Sequence, residues 1–513
     1  MSLSQKTILL IIIATGLRII FAGSIELGND EVYYITYAQK LQWNYFDHPP
    51  LVGLLIKITS LNLWLTNEIF IRLGPILLAA VDTWLIFRIG THIKNEKAGY
   101  LAALFFTASP YTSIISGLFI MPDAPMLFFW LLSIWLLVRV FDPNISKRQS
   151  NISLLLFGLT AGLAIMGKVH AIFLWVGLGI YLLLYNRRML LNPVLYLAGV
   201  ISMAIISPIY FWNAQNDFIT YKFQGSRVTV NSGFRADSLL TELFGGILYN
   251  NPVNYVLILI ALIAIFRKKR PLVLPYRNLL LCLSLPLIGI LIFVSCFRST
   301  LPHWNGPGFV VLSIVASAWL AETHFTKYNK WLTTANIVLL LIAIVAVLGI
   351  NFYPGTPGNK DYAKLGEDDL TLEMYGWKQF NQSFRQMYED DTRSGKMKKN
   401  SAIATHKWFP GGHLNFYVAL PDSITLIGLG TLNDIHHFYW LNEVRPKLKK
   451  GDDAYIIVPS NLNYSVRVDD TYGQMFNAIE KPSIIDQLRN GKPARYFSVY
   501  RAHGFRPPEA VGY

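Results

Sequence analysis

Long apolar runs alternate with short polar loops through roughly the first 350 positions of this chain of 513 residues. The runs are about 17 to 22 residues long, the length that a helix needs to cross roughly 30 Å of hydrocarbon. The pattern therefore predicts a polytopic α-helical membrane protein with about eleven transmembrane helices. The predicted spans are 7–23, 69–90, 98–118, 125–141, 152–166, 171–186, 190–212, 246–266, 276–296, 305–322 and 331–351.

The first run has no small-residue cleavage site, so we expect a retained helix rather than a signal peptide. The loop that follows it is too apolar to be a free linker. Within that loop, Val32–Leu41 and Leu51–Leu65 predict helices that lie along the membrane surface. Tyr33, Tyr34, Trp43 and Trp64 are suited to headgroup depth.

Basic residues of the connecting loops fall on one side of the predicted spans. Lys and Arg are enriched in cytoplasmic loops, so the N-terminus is predicted to be cytoplasmic. The same rule accounts for the net charge of +14, because residues 352–513 hold 20 Lys+Arg and 18 Asp+Glu, which leaves +12 for the membrane part. Charge thus indicates topology, and we expect no nucleic-acid partner. The basic positions are Lys6, Arg88, Lys94, Lys97, Lys147, Arg148, Arg187, Arg188, Arg267, Lys268, Lys269, Arg270, Lys327 and Lys330.

The composition changes after Asn351, where the Pro- and Gly-rich stretch 353–358 predicts a linker. We therefore divide the chain into a transmembrane domain, 1–351, and a soluble extracytoplasmic α/β domain, 352–513. Short apolar runs predict strands, and longer amphipathic stretches predict helices. The predicted strands are 402–405, 423–427, 454–458 and 496–500, and the predicted helices are 371–389 and 433–448.

Unusual polar residues of the membrane part gather on the side opposite the basic loops. Carboxylates beside a hydrophobic slab have raised pKa values if they are desolvated, which suits a general base. Cations gathered near them would bind an anion, and we expect this anion to be a phosphate at the membrane surface. The carboxylates are Asp30, Glu31, Asp47 and Asp123, and the potential cations are His48, Lys168, Arg227, Arg298 and His303.

Each of these positions also has a structural explanation. Asp30 and Glu31 could cap the helix predicted from Val32, and Asp123 could cap the helix after Pro125. Lys168 could be a surface lysine that reaches the interface, and Arg298 and His303 could contact lipid headgroups. The tail histidines, which have no ligand-like spacing, are His406, His413, His436 and His437.

Six short motifs in chain order resemble those of bacterial membrane glycosyltransferases of the GT-C superfamily. The resemblance is to the group of protein O-mannosyltransferase-like and lipid A aminoarabinose transferase-like enzymes. It covers residues 7 to about 350 and, more weakly, the tail through Tyr375-Gly376-Trp377. The motifs are Asp30-Glu31-Val32-Tyr33-Tyr34, Tyr45-Phe46-Asp47-His48-Pro49-Pro50-Leu51, Pro122-Asp123-Ala124-Pro125, Gly167-Lys168, Phe211-Trp212-Asn213 with Phe223-Gln224 and Arg227, and His303-Trp304.

This resemblance implies an inverting transfer of a hexose or pentose from a polyprenyl-phosphate donor. The acceptor would be an envelope lipid, glycan or protein outside a bacterial cytoplasmic membrane. It also implies that Asp30 is the catalytic base with Glu31 beside it, and that Asp123 is a second catalytic acidic residue. Donor-phosphate binding would fall to His48, Lys168, Arg227, Arg298 and His303.

Two departures from the aminoarabinose transferases bear on metal binding. Those enzymes carry Glu-Lys-Pro where this chain has Asp47-His48-Pro49, and a histidine where this chain has Gln224. No cofactor is therefore certain, and Asp47 is the position left for a divalent metal. Two other classes stay open, a polyprenyl-lipid flippase and an inert membrane scaffold. A flippase would place polar residues on both membrane faces and at mid-depth. The predicted clustering of polar residues on the external face disfavours that class.

Overall fold

The computed structural model describes residues 1–229, 233–267, 274–462 and 468–507. Lys268, Lys269 and Arg270 of the predicted cytoplasmic loops lie outside these ranges. The chain divides into two compact units, Met1–Ala22 with Gln42–Ile342, and Gly23–Leu41 with Ala343–Tyr513. The predicted boundary after residue 351 stays a prediction. The first unit ends at Ile342, and the second unit also includes residues 23–41.

Helices make up the membrane part. In chain order they are α1 (Leu3–Ser24), α2 (Asn29–Gln39), α3 (Leu51–Thr59), α4 (Glu68–Ile93), α5 (Glu96–Ala108), α6 (Asp123–Val140), α7 (Lys147–Gly167), α8 (Phe173–Tyr185), α9 (Pro193–Gln215), α10 (Ile219–Val228), α11 (Ala236–Tyr249), α12 (Pro252–Phe266), α13 (Leu274–Ser295), α14 (Gly306–Thr323) and α15 (Phe325–Phe352).

Among the described residues, eight helices are long and apolar enough to cross a membrane, or nine if the bent pair α11 and α12 counts as one span. The protein is thus a multi-pass membrane protein, as predicted. All eleven predicted spans lie on helices, but three differ from a straight span. The 98–118 segment stops being α-helical at Ala108, and 171–186 forms a short helix. The segment 246–266 is interrupted by a bend of 99°.

Local sequence explains these interruptions. Ser109-Pro110 follows α5, and a single turn of π-helix, Tyr111–Ile115, comes next. A proline lacks the N–H that an α-helix would use, so the helix ends before it. In the bent pair, Asn251 has φ of 69° and its side chain accepts a hydrogen bond from the backbone of Val253, which starts α12 anew.

The first unit has one large apolar core. It is built mainly from α4 to α9 and α12 to α14, with Trp130, Phe157 and Val311 fully buried at its centre. Lipid-facing apolar side chains stay exposed on the outer helices, as expected for a membrane protein. Trp43 and Trp64 are 65% and 79% exposed, in keeping with a position at headgroup depth.

The second unit contains a six-stranded mixed sheet. Its strands are β1 (Ala402–Thr405), β2 (Leu426–Gly428), β3 (Ala454–Pro459), β4 (Phe476–Ile479), β5 (Ser483–Arg489) and β6 (Lys492–Phe505). Their order is β2-β1-β3-β6-β4, and β5 also pairs with the long strand β6. β1 is parallel to β2 and β3, whereas β6 is antiparallel to its neighbours. The predicted small α/β domain is therefore present.

Helices of the second unit match the prediction only in part. α16 (Trp377–Arg393) follows a 3-10 turn, Leu370–Met374, where one helix over 371–389 was predicted. The predicted helix 433–448 was wrong: that region holds two single turns, α18 (Leu432–Ile435) and α19 (Phe438–Leu441). Two further short helices are α17 (Trp408–His413) and α20 (Val468–Tyr472).

The loop helix α2 belongs to the core of the second unit. All residues from Glu31 to Ala38 are buried, and Tyr33 and Tyr34 are only 1% and 3% exposed. The sequence prediction had placed this helix along a membrane surface. Residues Glu31 to Ala38 are buried on every side of the helix, so α2 is not amphipathic, and its apolar composition could not distinguish lipid from a protein partner.

Candidate functional site

A buried ion pair lies where two transmembrane helices meet in the first unit. Asp123 is the first residue of α6, and Lys168 directly follows α7. The Lys168 ammonium donates to Asp123 Oδ2 at 2.7 Å, and the two side chains are 7% and 0% exposed. The Tyr111 hydroxyl donates to the other oxygen, Oδ1, at 3.2 Å. Both carboxylate oxygens thus have partners, so Asp123 does more than cap a helix.

A close helix crossing positions this pair. Gly167 is the last residue of α7, and a Cβ built on it would lie 2.8 Å from the backbone of Met126 in the first turn of α6. A side chain at residue 167 would therefore push the two helices apart. Tyr111 is held in a similar way, because its ring lies against Gly306 at the start of α14.

His48 extends the site. Its electrostatic neighbours are Lys168, Asp123, Arg227 and His170. Burial, and then the positive charge of Lys168, lowers the pKa of His48 to about 3. The imidazole is consequently neutral at physiological pH, whereas the sequence prediction treated it as a potential cation. A neutral imidazole can still donate or accept a hydrogen bond beside an anion.

Arg227 is the second cation of this region. It lies on α10, with its guanidinium carbon 5.1 Å from the centre of the Trp304 ring and 5.6 Å from that of Phe223. Stacking on two aromatic rings restricts the guanidinium without using up its donors. His303 precedes Trp304 in a 3-10 turn and interacts electrostatically with both Lys168 and Asp123.

Arg298 has a different environment. Its guanidinium donates to the backbone carbonyl of Ser226 and, at 3.2 Å, to that of Thr229. Carbonyls at the end of a helix have no hydrogen-bond partner within the helix. Arg298 supplies one at the end of α10 and so caps the helix that carries Arg227. The structure thus brings Asp123, Lys168, Arg227, His48 and His303 together and gives Arg298 a supporting position beside them.

Sequence reasoning missed Glu242 in α11, which is 1% exposed. Its carboxylate accepts from the Thr300 hydroxyl at 2.6 Å and from the Asn305 amide at 2.9 Å. Glu242 therefore fixes the turn that presents His303 and Trp304. An acidic residue in an apolar helix is itself a signal of function, and it could have been found in that way. Tyr111 offered no comparable signal.

Asp30 and Glu31 lie in the second unit and have different surroundings. Glu31 is buried, and its Oε2 accepts from the Gly28 backbone N–H at 2.9 Å, as in a capping box. Glu31 is thus the residue that caps α2. Asp30 is exposed at the start of the same helix.

Next to Asp30, Asn29 joins two residues that sequence reasoning did not single out as functional. His413 Nε2 lies 2.9 Å from Asn29 Oδ1, and the side chain of Asn29 also hydrogen-bonds Glu373. Burial, and then the charge of Asp30, raises the pKa of Glu373 to about 7. Nothing in the local sequence around Glu373 indicates this proximity.

The residues that the structure describes do not form a metal site. Within the described ranges, no group of three or more His, Cys, Asp or Glu side chains is placed to hold a metal ion. Asp47 Oδ2 lies 3.9 Å from His48 Nε2, and the backbone carbonyl of Asp47 accepts from the Gln224 side chain. Two candidate ligands do not make a divalent site, and the prediction of a metal at Asp47 has no support from this geometry.

Comparison with known proteins gives a consistent picture. The family model for dolichyl-phosphate-mannose-protein mannosyltransferases matches residues 47–212, which include His48, Asp123 and Lys168. The lipid A galacturonosyltransferase RgtD of Rhizobium johnstonii is 24% identical over 326 residues, or 62% of this chain. The chain covers 66% of that relative's length, slightly less than two thirds.

Two crystal structures of ArnT from Cupriavidus metallidurans share the fold. The apo structure gives a TM-score of 0.61 and the one bound to undecaprenyl phosphate 0.58. Both are 14% identical to this chain, and the superpositions cover 97% of this chain and 98% of ArnT. At this identity the likeness concerns the fold, over nearly the whole length of both proteins.

Proposed function

We propose that this chain is a membrane glycosyltransferase of the GT-C type and that it moves a sugar from a polyprenyl-phosphate donor to an acceptor outside the cytoplasm. The observation that carries the proposal is the buried Asp123–Lys168 pair with Arg227 and neutral His48 around it. Cations in a water-poor site stabilise the negative charge that develops on a departing phosphate.

The proposed reaction is a single displacement with inversion. The acceptor hydroxyl attacks the anomeric carbon, its proton passes to a carboxylate base, which the motif resemblance assigns to Asp30, and the C–O bond to the phosphate breaks with both electrons leaving on oxygen. Phosphate is a good leaving group, so no strong general acid is required. Lys168 and Arg227 hold the phosphate, and Asp123 orients Lys168.

An envelope lipid is the proposed acceptor, and a lipid A-type glycolipid is the first to test. Support comes from the lipid A galacturonosyltransferase among the relatives, together with a fold shared with ArnT bound to undecaprenyl phosphate. We further propose that the N-terminus is cytoplasmic and that residues 352–513 are extracytoplasmic, which follows from the distribution of loop charge.

The test is transfer of labelled sugar from polyprenyl-phosphate donors to lipid A-type acceptors by the purified full-length protein. Asp30→Asn should lower kcat at least 100-fold, because the base is lost, and Lys168→Met should lower kcat/KM by a similar factor. Asp361→Asn and Lys222→Met are matched controls, since both side chains are exposed. Full activity of Asp30→Asn would refute the catalytic role, and donor movement across vesicles without transfer would favour a flippase.

A further inference from the structure

The segment around Glu373 is fixed against the segment that carries Asp30. The Glu26 backbone N–H donates to the Met374 carbonyl at 3.2 Å. The Glu26 carboxylate accepts from the backbone N–H groups of Trp377 at 2.7 Å and Lys378 at 3.0 Å, at the start of α16. Three hydrogen bonds thus hold residues 373–378 in register with residues 26–30, entirely within the second unit.

Asn29 connects Glu373 to a buried histidine. Its side-chain oxygen lies 2.9 Å from His413 Nε2, so the ring donates and the Asn29 amide nitrogen is left to donate to Glu373. The His413 ring stacks on Trp377 at 4.2 Å with an interplanar angle of 7°. This packing fixes the imidazole, and with it the orientation of the Asn29 amide.

Other charged groups on neighbouring elements are engaged elsewhere. Arg495 of β6 donates to the carbonyls of Leu372 and Tyr375. Lys378 lies over the ring of Tyr417, and the Glu26 carboxylate caps α16 as described. Burial lowers the pKa of His413 well below its usual value, so this ring is neutral. Asp30 is consequently the charge that acts on Glu373.

We propose that Glu373 is the positioning residue of the catalytic base: it carries a proton beside Asp30 and thereby sets the basicity of the Asp30 carboxylate. The proposal rests on the function proposed above for Asp30. Two neighbouring carboxyl groups do not ionise independently, and the more buried one keeps its proton to higher pH. Glu373 forms no bond to substrate; the proton of the acceptor hydroxyl goes to Asp30.

Ionisation of Glu373 should make Asp30 a stronger base. The raised pKa of Glu373, about 7, places this change within the working range of the enzyme. A stronger base abstracts the proton of the acceptor hydroxyl faster, and we expect the rate to rise about threefold. The wild-type rate should therefore contain a step near pH 7 that is absent when residue 373 cannot ionise.

Glu373→Gln tests this, because glutamine mimics the protonated acid and can still accept from Asn29. We expect kcat/KM of Glu373→Gln relative to wild type to be about 1 at pH 5.5 and about one third at pH 8.5. Using this ratio cancels any titration of the substrates. Glu389→Gln, an exposed position on α16, should give a ratio of 1 throughout.

Glu373→Asp is the rescue variant, since it restores a titrating carboxyl group and should stay within about twofold of wild type across the range. A ratio for Glu373→Gln that does not change with pH, in protein that unfolds at no lower temperature than wild type, would overturn the proposal. So would identical pH profiles for the Gln and Asp variants. An inactive Asp30→Asn beside such a result would leave the proposed function intact, whereas an active Asp30→Asn would refute that function itself.

Discussion

Among single residues, we expect the largest loss of stability from breaking the Asp123–Lys168 pair. Replacing Asp123 by Asn leaves the Lys168 ammonium buried without its carboxylate, which should destabilise the fold by about 3–5 kcal/mol. The double variant Asp123→Leu with Lys168→Met removes both charges and should regain most of that stability while remaining inactive. Thermal unfolding in detergent, with the transfer assay, measures both effects. If Asp123→Asn unfolded at the wild-type temperature, the pair would not contribute to stability as proposed.

Glu373 gives a second residue-scale prediction, on stability and pH. Its pKa in the folded protein is raised from 4.5 to about 7, so its contribution to stability is present below about pH 4.5 and is lost as the pH rises through 7. The free energy of unfolding of Glu373→Gln should therefore exceed that of wild type by about 1–3 kcal/mol, and this difference should increase from pH 5 to pH 8. Denaturant unfolding at the two pH values tests this, and a gain independent of pH would show that Glu373 does not titrate in this window.

Sequence motifs predicted which polar residues of the first unit lie close together, but they did not predict this for the second unit. Asp123, Lys168 and Arg227 stand in short recognisable motifs, and each is found beside the others. Glu373 and His413 have no such motif, because their role depends on which residues they meet in the folded chain. His48 shows a third case: its position was predicted, but its neutral state depends on burial that a sequence does not display.

At the scale of elements, the crossing of α6 and α7 depends on a small residue. Gly167→Ala would place a Cβ 2.8 Å from the backbone of Met126, so the helices must separate and the Asp123–Lys168 pair must lengthen. We expect a loss of about 1–3 kcal/mol and a marked loss of transfer activity. The matched control is Gly199→Ala in α9, where nothing lies within 4 Å of the added Cβ. That change should be neutral or stabilising by up to about 1 kcal/mol.

The turn that carries His303 and Trp304 offers another prediction. Glu242→Ala removes the acceptor for Thr300 and Asn305, and leaving such buried donors unsatisfied costs about 1–3 kcal/mol. Because Trp304 stacks on Arg227, we also expect a raised KM for the donor. Donor titrations of the variant measure this, and an unchanged KM would argue against a connection between Glu242 and Arg227.

Helices were easier to predict than strands in this chain. A span of about 20 apolar residues is a strong signal, and all eleven predicted spans lie on helices. The sequences Ser109-Pro110 and Asn250-Asn251 are only weak local indications that a helix is interrupted there. Strands β4 and β5 were missed because Asn477 interrupts the apolar run of Phe476–Ile479 and Lys481-Pro482 interrupts the run into β5.

At the scale of the whole molecule, ordered motifs predicted a resemblance to the GT-C glycosyltransferases, and the family model over residues 47–212, the 24% identical relative and the shared fold agree with that resemblance. The grouping of residues 23–41 with the C-terminal unit was not predicted. Hydrophobic periodicity reports that a helix has an apolar face, but it does not report which part of the chain covers that face.

This grouping leads to a prediction about isolated fragments. Residues 343–513 expressed alone should expose the surface that packs against Val32, Ile35 and Tyr37 of α2, all of which are buried in the intact unit. We expect the fragment to aggregate or to unfold at a lower temperature than the same fragment joined by a flexible linker to residues 23–41. Equal unfolding temperatures would contradict the assignment of α2 to this core.

The same feature has a consequence for biosynthesis. Asn29 and His413 are 384 positions apart in the chain, and a ribosome adding about 5–20 residues per second needs roughly 20–80 s to cover that distance. During this interval α2 has been synthesised before the partners that bury its side chains exist. The environment of Asp30, the proposed base, is therefore completed only after the membrane helices have been synthesised.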